Sequence, residues 1–274
     1  MIVKVLMDNE SVSDEFSQEH GLSLYIETGS KRVLFDTGAS GAFADNAERM
    51  GVDLSAVDFL VISHGHYDHG GGIKRFFELN SKARAFISRR AFEDHWAAKP
   101  DGTRKYIGLD KSILDSGRVV PVEEYHVIEE GIELFSGIKG DRLSPSGNED
   151  LYMDHAGKLQ HDDFSHEQNM LITEDGIGVL FAGCAHRGIV NIIEEIAVEG
   201  NILLEAVIGG FHLYNKSRGT SELPEKIDEI GSYLRASGPM YYTCHCTGLK
   251  AYERLKEIMD GKLDYLAAGR TIEI

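Results

Sequence analysis

The stretch Leu60-Val-Ile-Ser-His64-Gly-His66-Tyr-Asp68-His69-Gly-Gly-Gly72 decides how this chain is read. An apolar run ends at Ser63. Four side chains able to bind a metal then follow within six residues, spaced His-x-His-x-Asp-His. A tight strand-to-helix turn throws such side chains in several directions around one point. Imidazole and carboxylate are borderline donors suited to Zn, Fe or Mn. The three consecutive glycines predict a backbone that passes close to the ions with no side chain in the way. A merely solvated, histidine-rich loop has no reason to follow a buried strand with this spacing.

On either side of this motif, apolar runs alternate with turn signals. Residues 2–7, 24–27, 32–35, 59–62, 83–87, 170–173, 178–181, 203–208 and 241–243 read as strands. Gly29-Ser30 and Asp175-Gly176 predict hairpins. Helical spacing of apolar residues marks 42–50, 73–80, 189–198, 223–234 and 249–259. Strands, a helix and more strands, in a pattern that repeats once, predict an α/β fold of two sheets packed face to face with helices outside. Residues 101–161 are rich in Gly, Asp and Ser and poorly periodic. They are expected to form an insertion or lid on a single domain spanning 1–274.

The 274 residues suit one large domain. A net charge of −17, with no Lys/Arg-rich run, argues against nucleic acid or an anionic membrane as partner. An anionic substrate then needs metal ions to supply local positive charge. Three cysteines, Cys184, Cys244 and Cys246, make no disulfide framework. The first residues lack the basic and long apolar segments of a signal peptide. No apolar run approaches the roughly 20 residues that span a bilayer. A cytoplasmic protein is expected, and a homo-oligomer is compatible with the sequence.

The His-x-His-x-Asp-His spacing resembles the signature of the metallo-β-lactamase superfamily. Its four-layer αββα sandwich, with two mixed sheets, is the fold this implies. Arg32-Val-Leu-Phe-Asp36-Thr-Gly38 resembles the superfamily's first motif, whose Asp supports the metal loop. In the ligand set that the resemblance implies, His64, His66 and His166 hold one ion, with His161 a rival to His166. Asp68, His69 and His212 hold a second. Cys184 stands where the superfamily usually has Asp, either as a ligand or as a small buried hydrophobe. Two zinc ions are implied, with Fe or Mn as alternatives.

One branch matches best, the metal-dependent hydrolases similar to dihydropterin–ribofuranosylaminobenzene phosphate synthase. The matching stretches are Glu19-His20-Gly21-Leu22-Ser23, the motif itself, Gly183-Cys-Ala-His186-Arg-Gly188, Gly209-Gly-Phe-His212-Leu213 and His245-Cys-Thr247-Gly248. They imply substrate contacts from His20, His186, His245 and Thr247, and catalytic roles for Asp68, His186 and His245. Either His186 or His245 can replace an assigned ligand. His95 and His155 read as surface residues. The function implied is an enzyme hydrolysing an anionic small molecule: a phosphate ester, a diphosphate or a lactone. The alternatives are a transferase acting on a pterin diphosphate, and a binding or signalling module that keeps the metals but turns over little.

Overall fold

The apolar run before the histidine motif is strand Phe59–Ile62, buried along its whole length. Such a run belongs inside a parallel sheet covered on both faces. It pairs in parallel with Arg32–Phe35 on one side and Arg84–Ser88 on the other. The full seven-stranded sheet runs Thr271–Glu273, Ile2–Met7, Ser23–Glu27, Arg32–Phe35, Phe59–Ile62, Arg84–Ser88, Val119–Val122. Helices Ala42–Arg49 and Ile73–Leu79 cover it with Phe43, Ala47, Ile73 and Phe76. These elements form one compact unit, Met1–Asp94, Ile107–Glu123 and Leu266–Ile274. The computed structural model describes residues 1–199 and 202–274.

The second unit, His95–Tyr106 and Glu124–Tyr265, has its own seven-stranded sheet. Its order is Leu263–Tyr265, Met240–Thr243, Leu203–Gly209, Ile177–Phe181, Asn169–Glu174, Ile132–Phe135, Tyr125–Glu129. The Asp175-Gly176 hairpin forms as its sequence predicts. Both residues have positive φ, 51° and 81°, as a type I′ turn requires. Helices Ile189–Glu199, Pro224–Ser237 and Leu249–Met259 supply Ile189, Ile192, Ile227, Leu234, Leu255 and Met259 to its core. Helix 224–237 begins one residue later than its periodicity suggests. Pro224 takes its first position, where a missing N–H costs nothing.

Residues 101–161 hold more regular structure than their composition announces. Val119–Val122 is the edge of the first sheet, and Tyr125–Glu129 and Ile132–Phe135 end the second. Leu151–His155 and Lys158–His161 join Asp94–Ala98 and Arg104–Tyr106 in a small sheet. Among the described residues, no helix is long and apolar enough to cross a membrane.

Within each sheet the parallel strands end level with one another. Phe35 pairs with Val61, Phe181 with Ile208, and Gly209 with Thr243. In open α/β sheets, ligands gather beyond such carboxyl ends. Asp36 and the histidine motif leave the first sheet there; Cys184, His212 and His245 leave the second the same way.

Candidate metal centre

In the first unit, His64, His66, Asp68 and His69 are all buried. Asp36 organises them. Its Oδ1 accepts the Ser63 N–H at 2.7 Å, and its Oδ2 accepts the Ser63 hydroxyl at 2.7 Å. The same Oδ2 takes the His69 Nδ1–H at 2.6 Å. Asp36 does this from a left-handed backbone, φ 60°, a conformation that Asp tolerates better than most residues. With its own proton committed to Asp36, the Ser63 Oγ accepts from His64 Nδ1 at 2.9 Å. Both His64 and His69 therefore present Nε2 as a lone-pair donor. His64 Nε2 stands 3.0 Å from His66 Nδ1. Two nitrogens each about 2.0–2.1 Å from one zinc ion stand roughly 3 Å apart. Asp68 Oδ2 meets His20 Nε2 at 3.0 Å.

The glycines of the motif also make a contact that the sequence does not announce. A Cβ on Gly71 would lie 2.2 Å from the Ala39 carbonyl oxygen, and one on Gly72 would lie 2.4 Å from that of Thr37. Their small size lets the motif press against the Asp36 loop. The Thr37 N–H donates to the His69 carbonyl at 2.7 Å and the Gly71 N–H to that of Gly38 at 2.9 Å.

In the second unit, the donor atoms of Cys184, His186 and His212 lie within 4.8 Å of one another. So do those of Cys184, His245 and Cys246. Left-handed φ values at Ala185 (51°), His212 (49°) and His245 (49°) aim these loops. Strained backbone of this kind clusters at functional sites. Gly209 and Gly210 let the strand ends close up: a Cβ on Gly209 would sit 2.0 Å from the Ala182 oxygen, and one on Gly210 2.4 Å from Cys246 Sγ. The buried Glu167 carboxylate accepts the N–H groups of His186 at 2.6 Å and Arg187 at 2.9 Å. Burial holds this carboxyl above its ordinary value, against the pull of those two bonds. Burial also pushes the Cys246 thiol up, but hydrogen bonding with Cys184 and His212 and the nearby His245 leave it well below its ordinary value.

A family model of the metallo-β-lactamase superfamily matches residues 18–210, a span that includes the histidine motif. The chain belongs to the metallo-β-lactamase superfamily. Members are generally metal-dependent hydrolases that hold divalent ions. An uncharacterised protein of Methanocaldococcus jannaschii is 31% identical over 266 residues, 94% of either chain. The 7,8-dihydropterin-6-methyl-4-(β-D-ribofuranosyl)-aminobenzene-5'-phosphate synthase of the same organism is 28% identical, across 97% of this chain and 94% of its own. Among solved structures, Tm1679, a metal-dependent hydrolase of the β-lactamase superfamily, superposes with a TM-score of 0.84. It is 30% identical, over 100% of this chain and 99% of that one.

Each remaining residue of the motif reading has a defined place in this metallo-β-lactamase-fold chain. His166 is buried, and its donor atom lies within 4.8 Å of those of His95 and Asp162, in a group that could hold a metal ion; its Nε2 is 3.1 Å from the Asp162 carboxylate. His95 is fully buried rather than a surface residue. Its Nδ1 meets Asp162 at 3.0 Å, and its ring lies 4.1 Å from that of His166. It sits on the inward side of strand Asp94–Ala98, where burial alternates, and the sequence of that strand gives no hint of a polar partner. His186, expected at the substrate, belongs to a donor group. So does His245, which is 0% exposed. Thr247 is equally buried. Its hydroxyl accepts the Phe211 N–H at 2.8 Å and bonds Thr243 at 2.5 Å, which braces the chain beside His212. His161 and His155 are exposed, and His161 stacks on Tyr152.

Proposed function

We propose that this chain is a zinc-dependent hydrolase acting on an anionic small molecule: a phosphate ester, a diphosphate or a lactone. His64, His66, Asp68 and His69 supply donors from the first unit, and Cys184, His186, His212 and His245 supply them from the second. The family match covers residues of both sets. The observation that carries the reading is the tautomer pattern in the first unit. Hydrogen bonds to Ser63 and Asp36 tie Nδ1 of His64 and His69 and leave each Nε2 as a donor. An imidazole, carboxylate and thiol set suits zinc, and bound zinc supplies an activated water and charge to oppose a developing oxyanion.

The chain's own residues then have these tasks. Asp68 takes a proton from the attacking group, and His20 orients it through the 3.0 Å contact. Arg218 lines a cavity of about 110 Å³ that also reaches His212. Its Nε and one Nη are bonded to Asp150 at 2.6 and 2.5 Å, and its side chain is 56% exposed. Its outer edge offers N–H groups to an anionic substrate in a chain that is otherwise strongly acidic.

A second reading, transfer of a pterin from its diphosphate to an aminobenzene ribose phosphate with release of pyrophosphate, is favoured by the near-complete overlap with the dihydropterin synthase. Turnover of phosphodiesters, phosphomonoesters, diphosphates and lactones, and of a pterin diphosphate together with an aminobenzene ribose phosphate acceptor, in labelled water separates the two. Solvent oxygen in the product supports hydrolysis, and its absence with pyrophosphate release supports transfer. No metal-dependent turnover of any of them sinks both and brings forward a binding module.

A further inference from the structure

The turn Ser146–Asp150 lies against two of the second unit's donors, although no motif includes it. Asn148 makes two hydrogen bonds to His186. Its Nδ2 donates to the His186 carbonyl oxygen at 2.7 Å, and its Oδ1 stands 3.0 Å from His186 Nδ1. The first bond fixes the amide, because only its NH2 end can face a carbonyl. Oδ1 must then face the ring, and an amide oxygen only accepts, so the proton is on His186 Nδ1. The lone pair is on Nε2. Phe164 stacks on the same ring, with centroids 4.5 Å apart and planes 6° from parallel.

The turn is itself anchored. The Ser146 N–H donates to Glu222 at 2.8 Å, and Asp150 holds both Arg218 and Asn215. Gly147 abuts the other donor: a Cβ there would lie 3.2 Å from His212 Nε2.

We propose that Asn148 is a positioning residue for the metal centre, fixing His186 in the Nδ1–H tautomer so that Nε2 is ready to bind an ion. This rests on the proposed role of His186 as a metal donor. Partners of ligating histidines commonly set metal affinity by about 10–100-fold.

The test uses the full chain and two readouts. Nitrogen-15 NMR of the histidine rings in metal-free protein reports the tautomer. Chelator competition with zinc reports affinity. The proposal expects Nδ1–H at His186 in the wild type, and Nε2–H in Asn148→Leu together with zinc binding about 10–100-fold weaker. An Nε2–H ring in the wild type overturns it. An unchanged tautomer or unchanged affinity in a folded Asn148→Leu overturns it too. If that variant does not fold, the wild-type spectrum decides, supported by Gly147→Ala, whose methyl should crowd His212 and weaken zinc binding without moving the His186 proton. A wild type that binds no zinc but shows the Nδ1–H ring overturns the functional reading rather than the Asn148–His186 geometry.

Discussion

Replacing Asp36 by asparagine keeps the shape of a fully buried side chain and removes one of its acceptors. Three donors converge on its two oxygens: the Ser63 N–H, the Ser63 hydroxyl and His69 Nδ1. An amide has one oxygen. If it faces the Ser63 N–H, the NH2 faces the serine hydroxyl and His69, and His69 must accept through Nδ1. Its proton then moves to Nε2, the atom needed for the metal. If the amide is turned over, the Ser63 N–H faces an NH2 and is left buried without an acceptor. Asn tolerates φ near 60° about as well as Asp does, so backbone strain does not confuse the result. The expected cost is about 10–100-fold in metal affinity, about 1.4–2.7 kcal/mol. If the amide is instead turned over, the metal-free protein should lose about 1–3 kcal/mol for the unsatisfied Ser63 N–H, a few degrees of Tm in a chain of this length. Chelator competition and thermal melts of metal-free protein measure the two effects. Affinity within threefold of wild type, with an unchanged melting temperature, would refute the reasoning.

Other substitutions probe neighbouring contacts. Gly71→Ala places a methyl 2.2 Å from the Ala39 oxygen. It should cost about 3 kcal/mol or more in thermal melts, as severe overpacking does. Gly51→Ala, at φ 66° with open space around it, should cost only about 1–2 kcal/mol. Equal effects would mean that the glycine triad is not packed as described. Arg218 holds the Asp150 carboxyl below its ordinary value of 3.8. The bridge therefore stabilises the fold above that pH, and its contribution fades as pH falls through the folded value. In denaturant melts, the stability gap between wild type and Arg218→Gln should narrow from pH 5 toward pH 3, estimated roughly from that shift. A gap that widens on acidification contradicts the assignment.

The strands and hairpins were legible because their signals are local. Apolar runs end at dipeptides such as Asp175-Gly176, whose backbone needs fix the turn. Residues 101–161 were not legible because their strands are short and half exposed. Pro121 sits in an edge strand, and Ala156 and Gly157 turn a hairpin in a polar stretch. The metal motif was readable because its donors are contiguous. The residues that orient donors were not. Asn148 reaches His186 from 38 residues away, and His95 meets Asp162 across 67. Nothing in the local sequence of either announces a partner, and the fold alone creates the pairing. The packing of Gly71 and Gly72 against the Asp36 loop was not legible either, because a sequence shows that side chains are missing but not which backbone takes their place.

Metal content tests the central claim most directly. Mass spectrometry should find about two ions per chain in wild type reconstituted with zinc, and one or fewer in Asp68→Ala, whose carboxylate belongs to the motif. Little or no metal in the wild type after reconstitution with zinc, iron and manganese would contradict the account, because the tautomers set by Asp36 and Ser63 would then serve no ion.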